Sequence, residues 1–551
     1  MLAAAGARSQ VTFTPTADPA FAVNQGDFTE PCWADFENRG QLDLLTSVYG
    51  GQDILFQNNG DGTFTPMTAG IPSPGDENVA LVAADYDNDG WLDLMSVAGG
   101  GSEFREPILL YQGNGSDTFT PIPGGDLANF NGFFNNGVWA DYDNDGFVDF
   151  MISPGSDSTF NAQGSLFHNN GDGTFTSVTN AITKLSLNCG SAAWVDYDND
   201  GVPDLIICSG GTGTDHSYLF HNDGGGNFTR ITTNVLATDS WPDGAWVATW
   251  GDYDNDGLPD VYITGMGSGG RLYHNNGNGS FNLVATGAMS QPPTGGGSLS
   301  CAWGDFDNDG YLDLVISAYS GVNRLFHNNG DGTFTQVLAS PFTNTANKNI
   351  YCQTCSWADY DNDGFLDLLI TRFPESGVTT NLLYHNGGNS NAWLEVKLTG
   401  TVANRAAIGA KVRVHATIGG KSFWQVHEMT TGGGRWAQPL VAHFGLGDAT
   451  NVDTVRIEWP AIPAQVQEIH NVAARQIITI TEPPIVSAGL SNGLPQISVK
   501  GGRGFQYDIQ TSTDLKTWSL LQTAATDSSG TATILDTNNA VAAKFYRIAS
   551  H

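Results

Sequence analysis

The sequence predicts an all-β protein: a seven-bladed β-propeller with four-stranded antiparallel blades, followed by two small β domains. Three observations predict this fold. A nine-residue acidic motif recurs seven times, beginning at Asp35, Asp85, Asp141, Asp196, Asp252, Asp305 and Asp359. Four short apolar runs accompany each full repeat. Glycine supplies 69 of 551 residues and aromatic side chains 11%, which suits short strands joined by tight turns.

Each repeat of roughly 50 residues has the same order of elements. In the third repeat, an apolar run that contains Trp139 precedes the motif. In the sixth repeat, residues 314–316 form a strand-like run after the motif, and residues 324–327 form another. An Asn-Gly-Asp-Gly turn at 329–332 then leads into Thr333-Phe334-Thr335. Four strands per repeat and no helical period are typical of a propeller blade.

The two ends of the repeat region indicate how the ring closes. The seventh repeat reaches residues 382–386, and no Gly-Thr-Phe-Thr strand follows. Residues 11–15, Val-Thr-Phe-Thr-Pro, resemble the fourth strand at 63–66. The propeller is therefore assigned to residues 11–390, and we expect its N-terminal strand to complete the last blade and remove the open sheet edges.

The strongly acidic charge balance limits the kinds of molecule that the chain is expected to bind. The formal net charge is −35, with 57 Asp and Glu against 22 Lys and Arg, so nucleic acid and anionic membrane surfaces are not expected partners. No apolar run reaches the roughly 18 residues of a membrane span. Residues 1–10, MLAAAGARSQ, are expected to be a disordered remnant of a signal peptide. A secreted, extracellular or cell-surface location follows.

The acidic motif has the chemistry of a cation site. Six copies read D-[YF]-D-N-D-G-x-x-D, with carboxylates at positions 1, 3, 5 and 9. Gly at position 6 permits a sharp turn, and the carbonyl of position 7 offers another oxygen. Such hard donors favour Ca²⁺, with Mg²⁺ and Mn²⁺ as weaker alternatives. An EF-hand would need Glu at position 12, where every copy has Ser, Thr or Ile, so the loop closes on its ninth residue.

The first copy, DFENRGQLD, is degraded because Arg39 replaces the central Asp, and a seventh site in this blade stays open. Six full sites are expected. The predicted metal ligands are Asp35, Glu37 and Asp43 in the first loop and, in the others, Asp85, Asp87, Asp89, Trp91, Asp93, Asp141, Asp143, Asp145, Phe147, Asp149, Asp196, Asp198, Asp200, Val202, Asp204, Asp252, Asp254, Asp256, Leu258, Asp260, Asp305, Asp307, Asp309, Tyr311, Asp313, Asp359, Asp361, Asp363, Phe365 and Asp367.

These repeats resemble the FG-GAP/VCBS repeats of integrin alpha chains and of many secreted bacterial proteins. The resemblance covers roughly residues 11–390 and rests on the D-x-D-x-D-G-x-x-D loops. It implies that the loops bind Ca²⁺ in a structural role, with each ion holding the hairpin between the first two strands of a blade.

Two further domains follow the repeats. Residues 391–482 contain Asn391-Ala392-Trp393, the run 408–412, His443-Phe444-Gly445-Leu446-Gly447 and the run 452–460. This series is similar to the ASPIC/UnbV domain, which follows such a propeller in the cartilage acidic protein family; Ala461 stands where that family often has Gly. Residues 485–551 suggest a small β-sandwich-like domain, which resembles C-terminal appendages of secreted bacterial proteins.

No catalytic motif emerges. The G-x-G-x-x-G match at 265–270 precedes a strand and not a helix. His427-Glu428 begins an H-E-x-x-H pattern whose fifth residue is Thr431, and no G-x-S-x-G nucleophile occurs. The Trp that precedes six of the seven loops is interpreted as core packing. Five histidines at one repeat position are interpreted as structural hydrogen-bonding residues: His168, His221, His274, His327 and His385.

The six cysteines are compatible with an extracytoplasmic location. Cys189 and Cys208 flank one acidic hairpin and are predicted to form a disulfide. The pairing of Cys32, Cys301, Cys352 and Cys355 stays open, and no thioredoxin-like pattern surrounds the last two.

The main functional hypothesis is a non-enzymatic, Ca²⁺-stabilised propeller that acts in adhesion or in extracellular protein or glycan interaction. Its binding face is expected opposite the acidic loops, where aromatic residues gather, although these could equally pack within their own loops: Phe104, Phe130, Phe133, Phe134, Phe160, Trp241, Tyr319, Phe342, Tyr351 and Phe373. One alternative is a polysaccharide lyase-like enzyme that uses Arg105, Arg372, His216 or Tyr319. Another is a self-associating subunit of a surface layer or filament.

Overall fold

The computed structural model describes residues 11–16, 18–22, 27–49, 51–71, 78–98, 106–123, 125–132, 134–154, 165–183, 189–210, 216–267, 269–292, 296–319, 321–343, 352–372, 382–432, 438–538 and 544–550. Helix is confined to α1 (Pro19–Ala22), α2 (Val235–Thr238) and two 3₁₀ turns (Asp126–Asn129 and Gly287–Ser290) within these ranges. None of these helical segments has the length and apolar character that crossing a membrane requires.

The first part of the chain forms successive four-stranded antiparallel sheets. The first four contain β2 to β5 (Asp27–Ala34, Asp43–Tyr49, Ile54–Asn58, Phe64–Met67), β6, β7, β9 and β10 (Asn78–Ala84, Asp93–Ala98, Leu109–Gly113, Phe119–Ile122), β12 to β15 (Phe134–Ala140, Asp149–Pro154, Ser165–Asn169, Phe175–Val178) and β16 to β19 (Cys189–Val195, Asp204–Ser209, Tyr218–Gly224, Asn227–Ile231). A small side pair joins β8 (Glu106–Pro107) to β11 (Asn131–Gly132).

Three more sheets complete the described set. They contain β20 to β23 (Ala245–Gly251, Asp260–Gly265, Arg271–Asn275, Phe281–Val284), β24 to β27 (Ser298–Gly304, Asp313–Ala318, Arg324–Asn328, Phe334–Val337) and β28 to β30 (Cys352–Ala358, Asp367–Arg372, Leu382–Asn386) with β1 (Phe13–Pro15). Each first strand contacts the first strand of the next sheet, and β28 contacts β2. The predicted propeller is confirmed, and the sheets are consistent with seven blades.

The N-terminal strand closes the ring as the sequence predicts. β1 pairs antiparallel with β30, with Phe13 opposite Asn386 and Pro15 opposite Tyr384. The Phe13 side chain is buried between the last two blades and packs on Phe306, Phe342 and Trp357, with ring centroids 5.3–6.1 Å apart. The last blade therefore joins residues from both ends of the repeat region.

Aromatic side chains between neighbouring blades form much of the core. Trp303, at the end of its first strand, stacks on Tyr253 of the preceding blade at 6.4 Å, and its indole N–H donates to the Thr249 carbonyl at 3.3 Å. Trp194 and Trp357 stack in the same way on the preceding blade. Trp33 stacks on Tyr360 of the last blade, which continues the pattern across the closure. The interpretation of this Trp as core packing is confirmed.

The second domain contains two sheets. β31 (Ala392–Thr399) pairs with β34 (Ala442–Gly447) and runs parallel to β37 (Gln476–Thr481). The other sheet has the order β33-β32-β35-β36 (Lys421–Glu428, Lys411–Ile418, Asn451–Trp459, Gln465–Ala473). The third domain has two three-stranded sheets, formed by β38, β39 and β42 (Ile485–Ser491, Leu494–Lys500, Thr531–Leu535) and by β40, β41 and β43 (Gln506–Ser512, Ser519–Ala525, Phe545–Ser550).

The predicted disulfide is wrong. All six cysteines are free and buried. A register shift between Cys189 and Ser191 places Cys189 opposite Ser209 and Cys208 opposite Ser191. Cys189 then packs with Trp194, whereas Cys208 packs in a different cluster on the other face of the sheet. A one-residue shift moves a side chain to the opposite face, so the two thiols cannot meet.

Alkylation tests this assignment. Burial raises the pKa of the Cys208 thiol to about 12, so native protein is expected to resist iodoacetamide at pH 8. Unfolding in guanidinium without reductant should then expose six reactive thiols, counted by mass spectrometry. Four or fewer would indicate a disulfide and contradict the register.

Candidate metal centres

The acidic loop folds around its first carboxylate. In the second blade, Asp85 Oδ1 accepts the N–H of Asp89 at 3.0 Å, and Oδ2 accepts the N–H of Gly90 at 2.8 Å. Asn88 and Gly90 have φ angles of 60° and 99°, a left-handed backbone that Asn and Gly tolerate best. The equivalent bonds to position 1 measure 2.7–3.1 Å in all seven loops. Asn at position 4 and Gly at position 6, present in all seven loops, thus determine the turn.

Position 9 ties the loop to its blade. Asp313 Oδ1 accepts the N–H of Asn328 at 2.7 Å, and Oδ2 accepts the N–H of Phe306 at 3.3 Å. Asp313 is fully buried. At position 7, the backbone N–H donates to the position 5 carboxylate at 2.8–3.1 Å in the six intact loops, while its carbonyl stays a predicted ligand.

Burial and crowding make these carboxylates costly to ionise. Burial, reinforced by neighbouring carboxylates, raises the pKa of Asp93 to about 9 and that of Asp260 to about 9. The pKa of Asp85 rises to about 8 for the same reasons, burial being the larger. A cation among the carboxylates would reverse this by favouring their charged form. A bound cation would therefore stabilise the loops with their carboxylates ionised.

The donor atoms fit a metal ion. In five blades, ligand atoms from position 3, from either position 5 or position 9, and from an adjacent histidine lie within 4.8 Å of one another, as in Asp143, Asp149 and His168. Oδ1 of Asp143, of Asp198 and of Asp361 is buried and has no hydrogen-bond partner among the described residues. Unpaired buried carboxylate oxygens are rare unless an ion or water completes them. Bound Ca²⁺ would be held here by carboxylates at positions 1, 3, 5 and 9.

The first loop differs from the others. The Arg39 guanidinium lies between the position 3 and position 9 carboxylates: Nη2 is 3.2 Å from Asp43 Oδ1, and Nε contacts Glu37. A side-chain cation thus reaches the carboxylates at the positions that are predicted to hold metal in the intact motif. The sequence interpretation missed Asp117, a buried residue from a turn of the second blade, which accepts the Gln57 amide at 2.7 Å beside Glu37. No motif marks it, because it comes from the neighbouring repeat.

The invariant Asn at position 4 links each loop to the next. Asn88 Nδ2 donates to the Gly146 carbonyl at 2.8 Å, and Asn362 Nδ2 donates to the Gly40 carbonyl at 3.0 Å, which closes the circle. All seven such bonds measure 2.8–3.4 Å. Asn stands at position 4 of all seven copies, which is the sequence signal that could have indicated this role.

The five repeated histidines lie at the loops. Each Nδ1 is 3.1–3.2 Å from the position 9 carboxylate and 3.3–3.6 Å from the position 3 carboxylate. The first two blades have Gln57 and Gln112 instead, whose amides donate to the position 3 carboxylates at 3.2 and 2.7 Å. The histidines thus face predicted metal ligands.

The second domain docks on the ring of loops. Lys411 Nζ lies 2.7 Å from Asp196 Oδ2, and Arg413 Nη1 donates to the Gly257 carbonyl at 3.2 Å. Further contacts reach four of the other blades: Arg405 N to Asn88 Oδ1 at 2.6 Å, Gly447 N to Asn308 O at 2.8 Å, His443 Nε2 to Gly364 O at 3.2 Å and Lys397 Nζ to Gly40 O at 3.4 Å. The third domain adds Arg503, which donates to the Asp87 carbonyl at 3.1 Å. The loop face of the propeller is an interdomain interface.

The predicted aromatic residues of the opposite face are mostly buried where the structure describes them. Phe134, Trp241 and Phe342 are at most 2% exposed, and Phe130 stacks on Phe134. Tyr319 is 41% exposed. Packing within the propeller therefore explains four of these residues. Phe104, Phe133, Phe160, Tyr351 and Phe373 lie outside the described residues.

The residues considered for catalysis are spread over several blades. His216 Nδ1 lies 3.1 Å from the Asp239 carbonyl. Arg372 is paired with Cys352 across the first two strands of the last blade. Tyr319 follows the second strand of the sixth blade, and Arg105 lies outside the described residues.

Comparisons with known proteins agree with the motifs. The family model described as FG-GAP-like repeat matches residues 35–96, 155–207, 206–263, 252–316 and 314–370, about half of the chain. The model described as ASPIC and UnbV matches residues 400–486. Cartilage acidic protein 1 of Xenopus tropicalis is 27% identical over 270 residues, and that of Mus musculus is 28% identical over 268. Each match covers 46% of this chain and 39% of the relative.

Solved structures give weaker likenesses. BBS1N in complex with ARL6DN, soaked with mercury, has a TM-score of 0.38 at 12% identity and covers 67% of this chain and 99% of its own. The Dos1 propeller has a TM-score of 0.37 at 13% identity and covers 63% of this chain and 76% of its own. The propeller is identified by the sheet topology and by the repeats. The chain belongs to the FG-GAP-like repeat family, with an ASPIC/UnbV domain after its repeats.

Proposed function

We propose that this chain is an extracellular calcium-binding propeller that acts in adhesion or in protein or carbohydrate interaction. One observation carries the proposal: the six intact loops each hold four aspartates, those at positions 1 and 9 are buried, and all are joined in one hydrogen-bonded circle. Buried carboxylates in such numbers need cations. The Ca²⁺ ions would then be structural, fixing the hairpins of the ring.

Calcium suits the donor set of the motif. Carboxylate oxygens with one backbone carbonyl are hard ligands, and Ca²⁺ accepts six to eight of them in flexible geometry. Mg²⁺ demands a stricter octahedron and keeps more of its water. A loop of nine residues with several acids close together therefore favours the larger ion.

Two observations support an extracellular setting. The relatives are named for cartilage and for acidity, and this chain shares the acidity with a net charge of −35. Extracellular calcium sites can be weak and still filled, because free Ca²⁺ outside cells is in the millimolar range that such modules bind. The free cysteines lend no support to this location.

The partner surface is proposed on the face opposite the loops. The second and third domains cover parts of the loop face through Lys411, Arg413 and Arg503, so that face is occupied within the chain. An extracellular protein or glycan would then contact the loops of the other face, where Tyr319 is exposed. A glycan and extracellular-protein binding screen with Ca²⁺ present, comparing Tyr319→Ala with the unaltered chain, tests this face.

Removing calcium tests the structural role. EDTA is expected to lower the Tm of the full chain, because an ion present at about 100 times its Kd adds about 2.7 kcal/mol to folding. Differential scanning calorimetry measures the shift, and excess Ca²⁺ should restore the original Tm. An unchanged Tm in EDTA would show that the loops are not structural ion sites.

A matched pair of variants assigns the ions to the loops. Asp313→Asn removes the fully buried charge at position 9 of the sixth blade and is expected to reduce the bound Ca²⁺ by one ion per chain. Asp331→Asn makes the same change at an exposed turn of that blade, where the side chain bonds Thr333, and should leave the count unaltered. Equilibrium dialysis against millimolar Ca²⁺, with the bound ion counted by elemental analysis, separates the two. Equal counts for both variants would contradict the site.

A further inference from the structure

We propose that His168, His221, His274, His327 and His385 are metal ligands, which give five loops a mixed nitrogen and oxygen donor set for a first-row divalent transition metal. The inference rests on the proposed function, since it needs the loops to bind divalent cations. It extends the ions that these loops bind from Ca²⁺ to divalent transition metals, which carboxylates alone do not select. Imidazole favours zinc, iron, nickel and copper, whereas carboxylates alone suit Ca²⁺ and Mg²⁺.

The spacing of the donor atoms fits such an ion. In the sixth blade, His327 Nδ1 lies 3.1 Å from Asp313 Oδ1 and 3.6 Å from Asp307 Oδ2. Two ligands about 2.1 Å from a zinc-sized ion lie about 3.0 Å apart in an octahedron and about 3.4 Å apart in a tetrahedron. The same pair of distances recurs in all five blades. The distances between the nitrogen and the two carboxylates thus match those between ligands that share one metal ion.

Hydrogen bonding explains only part of the arrangement. Nδ1 of His168, His221 and His327 makes a hydrogen bond of 3.1 Å with the position 9 carboxylate, as the sequence interpretation of these histidines expects. In all five blades Nδ1 also lies 3.3–3.6 Å from the position 3 carboxylate. An imidazole Nδ1 carries at most one proton, so it cannot donate fully to two carboxylates at once. A nitrogen lone pair directed at a shared ion accounts for the approach to both carboxylates.

The histidine rings are held in place before any ion binds. Each ring lies edge-on to the aromatic residue at position 2 of its own loop, with centroids 6.2–6.4 Å apart. Nε2 lies near the position 5 carboxylate, as in His327 and Asp309 at 3.8 Å, so the ring edge faces the carboxylates of the loop. Such positioning reduces the ordering cost of binding.

The first two blades supply an internal comparison. Gln112 occupies the histidine position, and its amide nitrogen donates to Asp87 at 2.7 Å. An amide N–H cannot coordinate a metal, so this loop keeps an all-oxygen donor set. The second loop is therefore expected to prefer Ca²⁺, while the five histidine loops accept both classes of ion.

Cobalt is the probe for the test. In the full chain loaded with Co²⁺, ring N–H protons of ligating histidines are expected as strongly shifted proton NMR signals that vanish in D₂O. His327→Gln should remove one such signal and lower the Co²⁺ affinity of that loop by about tenfold or more, with Ca²⁺ affinity changed by less than about threefold. Gln112→His should add a signal. Glutamine already occupies this position in two blades, so the first variant should fold.

The outcomes separate this inference from the proposed function. Binding of Co²⁺ and Ca²⁺ by calorimetry with no shifted imidazole signal would overturn the histidine assignment and leave the calcium loops intact. Signals that survive replacement of all five histidines by Gln would overturn it as well, since they would come from other histidines. If neither ion binds the full chain, the proposed function fails first.

Discussion

Replacing Phe13 by Ala is expected to lower the free energy of unfolding of the propeller by about 3–5 kcal/mol. Phe13 is 7% exposed and packs on Phe306, Phe342 and Trp357, which belong to the last two blades and their connection. The substitution leaves a cavity at the seam where the N-terminal strand closes the ring. Because β1 pairs with β30 as the outer strand of the last blade, weakening it also exposes the edge of β30 to other chains.

Urea unfolding followed by tryptophan fluorescence measures the loss, and size-exclusion chromatography reports any edge-to-edge association. Thr14→Ala is the matched control, because Thr14 lies on the same strand with its side chain exposed. It should cost less than about 0.5 kcal/mol, the usual range for exposed positions. An equal loss for both variants would mean that the strand contributes through its backbone pairing alone and not through the buried ring.

The fold was predictable because each blade is a local unit. Strands adjacent in sequence pair with each other, so a repeat of about 50 residues contains nearly all the information for its own sheet. Even the closing strand could be predicted. The seventh repeat has no fourth strand after residues 382–386, and residues 11–15 resemble the fourth strand of another repeat. The loop turns followed from Asn and Gly at positions that require positive φ.

What the sequence did not reveal depends on register and on contacts between repeats. The shift between Cys189 and Ser191 leaves Gly190 unpaired and changes the register by one residue, and a single Gly within a strand is only a weak sign of such a bulge. Asp117 reaches the first loop from another blade, so its position at this loop cannot be predicted from the residue spacing within either repeat. Glu395 lies in the second domain, and its charge adds to burial in raising the pKa of Asp359. Such residues become visible only when domain orientation is known.

Replacing Lys411 by Met is expected to loosen the second domain from the propeller and to strengthen calcium binding at the fourth loop. The Lys411 side chain is 6% exposed, and its ammonium lies on Asp196 and contacts Asn199. Removing one partner of a buried ion pair costs about 3–5 kcal/mol because the other charge is left uncompensated. Glu428, whose carboxylate accepts the Asp196 N–H at 3.1 Å, would lose its nearby positive charge as well.

Small-angle scattering should record the loosening as a larger radius of gyration, and hydrogen exchange should show faster exchange in β32 and β33. Lys421→Met is the matched control, because it removes the same charge from an exposed position on the same sheet. The opposite change at the fourth loop follows from charge: an ammonium 2.7 Å from Asp196 Oδ2 competes with Ca²⁺ for a position 1 ligand. Unchanged scattering together with unchanged calcium affinity would mean that docking does not depend on the Lys411–Asp196 pair. Looser docking with tighter calcium binding would establish that the ring of loops binds both the ion and the second domain.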